Sequence, residues 1–346
     1  MTWRMPLEAD PHERTWMSFP REGETLGATA AERDAGYGAW AAVARAVARF
    51  EPVSMLVDPT ETARAERMLG GAVELHETPV DEFWVRDAGP TFVVDEDDPS
   101  RLGAVDWIFN GWGDPGWARW EHAAGHARLV AGFADAEVVG SLLVNEGGGL
   151  HVDGQGTVLV TETVQLDPRR NPHADRRRVE DELARTLGAT RVIWLPRGLT
   201  RDYDDFGTRG HVDIVAALPS PGRILLHTQR DASHPDHAVT AEIRAHLEGE
   251  LDSSGRPFEI VDLPAPDALR DGHGFVDYSY VNHLVVNGGV IACGFGEQEA
   301  DARAASILGD AYPGREVVTV DARELFARGG GIHCITQQQP SVAVHS

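Results

Sequence analysis

The sequence predicts an α/β fold built from repeated strand-and-helix modules, and three observations carry this. Short runs rich in β-branched residues alternate with amphipathic helical stretches along the chain. From Ala118 onward, helix starts recur about every 60 residues, at Ala118, Asp175, Asp236 and Glu297, a period typical of supersecondary repeats. No low-complexity linker divides the chain, so residues 1–346 read as a single domain. The modules share a pattern and not a sequence. A doubly wound sheet is the competing arrangement.

Taken in order, the segment 11–20 reads as irregular because prolines bound it. A helix rich in Ala and Val is expected over 38–50, then a buried strand over 53–57. A short helix over 60–69 ends at Gly70-Gly71, and a strand follows over 73–75. Residues 118–130 read as helical. Asp175 can cap a helix with Val179, Leu183 and Leu187 on one face and Gly188 as its stop. Asp236 precedes another, with Val239, Ile243 and Leu247 in a stripe, and the last covers 297–308 and stops at Gly309. Strand-like runs lie at 91–94, 157–161, 191–194, 212–218, 224–227, 284–286, 290–293 and 317–320.

Composition narrows the function classes. With 42% hydrophobic residues in 346, a large core can form. No apolar run approaches the ~20 residues of a membrane span, and residues 1–6 lack a signal-peptide pattern. A cytoplasmic location with no membrane partner is expected. The net charge of -24 makes nucleic acid a poor partner and draws small cations instead. All 31 basic residues are arginine, which removes lysine as a Schiff base or general base. Only Cys293 and Cys334 occur, too few for a disulfide framework or a cysteine-based zinc site. Cys293 lies in an apolar run and reads as a core thiol. Cys334 follows Gly329-Gly330-Gly331, where glycines let a ligand approach closely, and reads as a nucleophile.

Four stretches break the apolar rhythm: 84–90 around Arg86-Asp87, 146–157 around Glu146 and three glycines, 210–213, and 329–340. His211 and Asp213 are two apart at the head of an expected strand, which would point both side chains to one face. His151 and Asp153 repeat the spacing among glycines, where an Asx turn is the alternative. Two His-x-Asp pairs raise a metal reading, but a Cys–His–carboxylate set fits thiol chemistry better, so no metal is assigned. Asp87 and Asp213 could hold a planar cation by paired, charge-assisted hydrogen bonds. A guanidinium offers the matching donors, and a thiolate is a suitable nucleophile for its carbon. Nearby carboxylates would raise the thiol pKa and a bound cation would lower it, so the thiolate would form mainly with substrate present. His211 could protonate the leaving amine and then activate water.

These stretches, together with 13–17 and Asp106-Trp107-Ile108-Phe109-Asn110-Gly111-Trp112-Gly113, resemble the agmatine deiminase family of the guanidino-group-modifying enzyme superfamily. The ending Cys334-Ile335-Thr336-Gln337-Gln338-Gln339-Pro340 is the most specific part, and the likeness spans nearly the whole chain. The resemblance implies a five-bladed α/β propeller of ββαβ modules with pseudo-fivefold symmetry. It implies hydrolysis of agmatine to N-carbamoylputrescine and ammonia, without metal or organic cofactor. By position, Cys334 would carry the covalent intermediate, His211 would be general acid and base, and Asp87 and Asp213 would clamp the guanidinium. Glu146 would orient His211 and touch substrate, with Trp84 and Gly330 lining the pocket. Ile214, the segment 115–120 and Arg209 depart from the usual pattern and are expected to shape the far end of the pocket. A deiminase of another alkyl-guanidine or an amidinotransferase is the alternative, and a non-catalytic binder of cations the remote one. Self-association into a homo-oligomer is left open by the sequence.

Overall fold

The structure is a computed structural model and describes residues 2–343; the ends of the expected domain, Met1 and 344–346, lie outside the described residues. It is a mixed α/β fold with five separate sheets of three or four strands and one two-stranded ribbon. One order of elements recurs. Thr91–Asp95 pairs antiparallel with Leu102–Ile108, the helix His126–Phe133 follows, and Glu137–Val144 returns parallel to Leu102–Ile108. Leu150–Val152, Thr157–Thr161, the helix Arg176–Leu187 and Arg191–Leu195 repeat it. So do Ala216–Ser220, Arg223–Thr228, Asp236–Leu247 and Glu259–Pro264, and Leu284–Val286, Gly289–Gly294, Gln298–Ala311 and Glu316–Asp321. The helix in each unit provides the crossover that a parallel pair requires. Strands split among separate sheets exclude a doubly wound sheet.

The fifth unit joins the two ends of the chain. Thr336–Pro340 pairs antiparallel with His12–Ser18, the helix Ala30–Val47 follows, and Val53–Val57 and Glu74–Glu77 add in parallel. Residues 12–18 are therefore a strand and not the irregular segment that the flanking prolines predict. One partner, 336–340, lies more than 300 positions away and the other, 53–57, lies beyond an intervening helix, so no local pattern reveals the strand.

Local chemistry explains the boundaries. The helix Ala30–Val47 begins well before position 38, because Thr29 and Glu32 form a reciprocal capping box. Gly36 and Gly38 lower its apparent propensity; at Gly36 a Cβ would lie 2.6 Å from Leu26. Asp175 caps its helix by accepting from the Arg178 amide, and Gly188 ends it in the left-handed conformation (φ 72°). The last long helix runs through Gly309 to Ala311. Residues 118–130 hold a 3-10 turn and then the helix His126–Phe133. The run 212–218 is not one strand: Val212–Ile214 is a 3-10 turn, and the strand starts at Ala216. Buried aromatics such as Trp16, Trp40 and Tyr37 fill the core between helix and sheet.

Candidate active site

Four turns meet where the polar stretches were expected to act. The one-turn helix Val85–Ala88 presents Asp87, and its Arg86 amide donates to the carbonyl of Cys334 (3.2 Å). The glycine turn Gly147–Gly149 packs on it so closely that a Cβ on Gly147 would lie 2.3 Å from the Arg86 carbonyl. The Gly148 amide donates to Asp87 Oδ1 (3.0 Å), and Trp112 Nε1 donates to Asp87 Oδ2 (2.9 Å). The turn carrying His211 and Asp213 is built by Asp202, which accepts from the amides of Thr208 (2.7 Å), Gly210 (2.6 Å) and His211 (3.0 Å). Arg209 and Gly210 both take positive φ there (73° and 121°). This turn, and not a strand's alternation, brings His211 and Asp213 into one site.

Cys334, His211, Asp87, Asp213 and Glu146 are all buried. Cys334 Sγ donates to Asp213 Oδ2 at 3.4 Å. His211 Nδ1 is 3.8 Å from Asp87 Oδ1, and its Nε2 is 3.3 Å from Glu146 Oε2. A Cβ on Gly148 would lie 2.5 Å from His211 Nδ1, 2.9 Å from Asp87 Oδ1 and 3.0 Å from Asp213 Oδ2, so these three polar atoms converge on one point. A Cβ on Gly330 would touch Cys334 Sγ and the Trp84 ring, both at 2.9 Å, which puts Trp84 and Gly330 beside the sulfur. His211 Nδ1 and Asp213 Oδ1 are buried without a hydrogen-bond partner. Buried polar groups normally find partners, and the unpaired carboxylate oxygen Asp213 Oδ1 is suited to accept from a donor-rich, cationic ligand.

Electrostatics agrees. Burial, together with Asp213 and Asp87, pushes the Cys334 thiol well above its ordinary range. Burial and the neighbouring carboxylates Asp213 and Glu146 raise Asp87 to about 6, despite His211. Burial alone would lower His211, but Asp87, Glu146 and Asp213 outweigh it and raise it to about 9. Glu146 stays ionised against its burial because Arg170 Nε sits 2.9 and 3.1 Å from its two oxygens. A cation bound here would relieve the crowded negative charge and ease ionisation of the thiol.

Several participants escape a motif-based reading. Arg170 clamps Glu146 from outside its stretch. Asn282 Nδ2 donates to Cys334 Sγ (3.2 Å). His333 bridges two carboxylates, with Nδ1 at 2.8 Å from Asp213 Oδ2 and Nε2 at 2.9 Å from Glu8 Oε1. His333 lies inside the 329–340 stretch, where no role was assigned to it. His151 Nε2 lies 3.6 Å from Glu8 Oε2, while Asp153 Oδ1 closes an Asx turn on the Gln155 and Thr157 amides (2.7 and 2.9 Å). Glu8, His151 and His333 are close enough to hold a metal. The donor set does not fit one: the Leu218 amide donates to His151 Nδ1 (3.3 Å), which leaves the ring proton on the Nε2 that faces Glu8. Cys293 is a buried core thiol whose Sγ donates to the Asn282 carbonyl (3.0 Å).

A cavity of about 810 Å³ adjoins the cluster, lined in part by Trp112, Pro115, Trp117, Arg209 and Gly329. Pro115, Trp117 and Arg209 thus stand at its wall, where the unusual positions were expected to matter. Ile214 is instead packed in the core.

The family model for Porphyromonas-type peptidyl-arginine deiminase matches residues 4–340. A Streptomyces coelicolor relative is 54% identical over 342 residues, covering 98% of this chain and 99% of its own. The agmatine deiminase of Stutzerimonas stutzeri is 38% identical over 361 residues, covering 97% of this chain and 95% of its own. The solved agmatine deiminase of Enterococcus faecalis superposes with a TM-score of 0.91 at 29% identity, over 98% of this chain and 96% of that one. Matched over nearly its full length by this family model and by such relatives, this chain belongs to the agmatine deiminase family described by the Porphyromonas-type peptidyl-arginine deiminase model.

Proposed function

We propose that this chain hydrolyses agmatine and water to N-carbamoylputrescine and ammonia through a covalent amidino-cysteine intermediate. The observation that carries the reading is the buried Cys334 Sγ at 3.4 Å from Asp213, beside two unpaired atoms, Asp213 Oδ1 and His211 Nδ1. Asp87 and Asp213 accept the guanidinium's N–H donors and spread its plane before the sulfur. The cation lowers the thiol pKa, the thiol proton passes to solvent, and the Cys334 thiolate attacks the guanidinium carbon. The C–N bond to a terminal nitrogen breaks as His211 gives it a proton, and ammonia leaves. Water then attacks the amidino carbon, His211 takes a proton from it, and the C–S bond breaks to release the ureido product. Glu146 holds the imidazole by Nε2, leaving Nδ1 to serve the substrate. Trp84 and Gly330 wall the pocket. The chemistry as drawn uses only side chains and water.

This reading treats residues 1–346 as one catalytic domain, with the five ββαβ sheets arranged as a propeller around a pseudo-fivefold axis. The partner is a small cationic guanidine, not nucleic acid, as the charge of -24 favours. No helix among the described residues is long and apolar enough to cross a membrane. We place the enzyme in the cytoplasm, whose reducing conditions suit an unpaired nucleophilic thiol; a homo-oligomer is compatible with it. A guanidine panel with and without an amine acceptor belongs beside the main test, because the clamp formed by Asp87 and Asp213 addresses the guanidinium and not the rest of the substrate.

That test is mass spectrometry of enzyme acid-quenched during turnover with agmatine. An amidino-sized addition on the Cys334 peptide is expected, together with loss of ammonia release in Cys334→Ala. Ammonia output near wild type from a folded Cys334→Ala protein would reject the proposal. Transfer to an added amine in preference to water would point to an amidinotransferase.

A further inference from the structure

We propose that Glu8 is a positioning residue: it holds a proton on His333 Nε2, so that the ring stands as a cation behind Asp213, ties down Oδ2 and leaves Oδ1 to the guanidinium. This rests on the reading of Asp213 as one arm of the substrate clamp.

His333 faces a carboxylate at each ring nitrogen. Nδ1 is 2.8 Å from Asp213 Oδ2, and Nε2 is 2.9 Å from Glu8 Oε1. An ionised carboxylate only accepts, and a neutral imidazole donates from one nitrogen only, so two such contacts call for the doubly protonated ring. All three groups are buried, where an unpaired charge is costly. The charges balance: Glu8 and Asp213 stand against His333 and Arg86, whose Nη1 is 3.4 Å from Glu8 Oε1 and whose Nε donates to the His333 carbonyl (3.2 Å). Burial opposes ionisation of Glu8, but His333, His151 and Arg86 hold its carboxyl well below the usual range. Burial and Arg86 oppose the charge on His333, and Glu8 and Asp213 outweigh them and raise it. The other titratable groups nearby are the Cys334 thiol, His151, whose ring stacks on His333 at 6.1 Å, and His283, which burial lowers to about 4 and leaves neutral beside Tyr312.

The segment that delivers Glu8 is fixed in place. The Asp10 amide donates to the Leu7 carbonyl (2.9 Å), His12 Nε2 donates to the Glu8 carbonyl (3.0 Å), and a Cβ on Gly154 would lie 2.7 Å from the Leu7 nitrogen. Asp213 Oδ2 meets both His333 Nδ1 and the Cys334 thiol, whereas Oδ1 is buried with no partner. The cation at Oδ2 thus sets which oxygen of Asp213 faces the substrate. It also offsets the repulsion that Asp213 exerts on a negative sulfur. The same protonation explains why Glu8, His151 and His333 converge without suiting a metal: His333 Nε2 has no lone pair to offer.

The experiment reads the histidine ring nitrogens of isotope-labelled, full-length protein by NMR from pH 5 to 9, with the His333 signals assigned by their loss in His333→Gln. Steady-state kcat/KM for agmatine is measured over the same range. Wild type, Glu8→Gln and Glu8→Asp are compared, with circular dichroism and Tm for each. Wild type should carry a proton on both His333 nitrogens at pH 7.5, and so should Glu8→Asp, which keeps the charge. In Glu8→Gln the carboxamide still bonds Nε2 but no longer requires a proton there, so the ring should lose one as pH rises through about 6.5, the ordinary histidine value. The kcat/KM of Glu8→Gln should fall about tenfold or more from pH 6 to 8 with that same midpoint, while Glu8→Asp follows wild type. A merely structural role would lower kcat/KM by one factor at every pH. A singly protonated His333 in wild type at pH 7.5, a doubly protonated one in Glu8→Gln, or a Glu8→Gln profile parallel to wild type overturns the proposal. If Glu8→Gln does not fold, the wild-type and Glu8→Asp spectra decide. If agmatine yields no ammonia, the substrate reading fails, while the ring spectra still decide the role of Glu8.

Discussion

Replacing Gly148 by alanine places one methyl group where the proposed catalytic groups converge. The new Cβ would lie 2.5 Å from His211 Nδ1, where ordinary contact begins near 3.4 Å, so the imidazole must retreat by about 0.9 Å. Asp87 Oδ1 and Asp213 Oδ2, at 2.9 and 3.0 Å, would be crowded by about half as much. The backbone tolerates the change, because Gly148 is not among the positive-φ residues. A misplacement of about 1 Å in a catalytic constellation costs on the order of 10²-fold in rate, or about 2.7 kcal/mol of transition-state stabilisation. The methyl also occupies space that the guanidinium needs, so KM should rise with the fall in kcat. The assay is steady-state ammonia release from agmatine, with circular dichroism to confirm the fold. A folded Gly148→Ala enzyme whose kcat/KM stays within threefold of wild type would refute the convergence argument.

His333→Gln removes the buried donor from Asp213, a bond to a charged group worth about 1.5–3 kcal/mol. Agmatine binding to a Cys334→Ala background should weaken at least tenfold by titration calorimetry. Thr29→Ala breaks the capping box and should cost about 1 kcal/mol in urea unfolding without changing activity. Burial chiefly raises Glu82 to about 8 against an unfolded value near 4.3. The folded state therefore favours its protonated form, and the stability this preserves below the unfolded value is lost as pH rises to about 8. Glu82→Gln should raise Tm by an increment that grows from pH 5 to 8 and then levels off; an increment independent of pH would contradict this.

Local signals were legible where chemistry is local. The strands at 53–57, 157–161 and 284–286 match their expected limits, because those apolar runs are bounded by Pro52 and Asp58, by Gly156 and Glu162, and by His283 and Asn287-Gly288. Asp175 and Gly188 bound their helix as capping rules require. The strand at 12–18 was hidden because its antiparallel partner is distant in sequence and its parallel one lies across a helix, and the early start of the helix at Ala30 was masked by two internal glycines. Among the side chains now gathered round the sulfur, Cys334, His211, Asp213, Asp87 and Glu146 stood in conspicuous polar motifs. Asn282, Arg170 and Glu8 did not. Each sits in an unremarkable stretch and reaches the cluster only through long-range packing. The two-residue spacing of His211 and Asp213 drew attention to the right pair for a wrong geometric reason: a turn braced by Asp202 aims them, not a strand.

The pairing of residues 12–18 with 336–340 also orders events in time. A ribosome that has made residues 1–333 has already delivered the carboxylates, the imidazole and the walls of the pocket, yet the reacting sulfur is still to come. Even once Cys334 emerges, the strand behind it, 336–340, has still to dock against residues 12–18, made more than 300 positions earlier. On the proposed mechanism, a nascent or truncated chain in which 336–340 has not paired with 12–18 lacks an assembled site and is expected to stay silent toward agmatine.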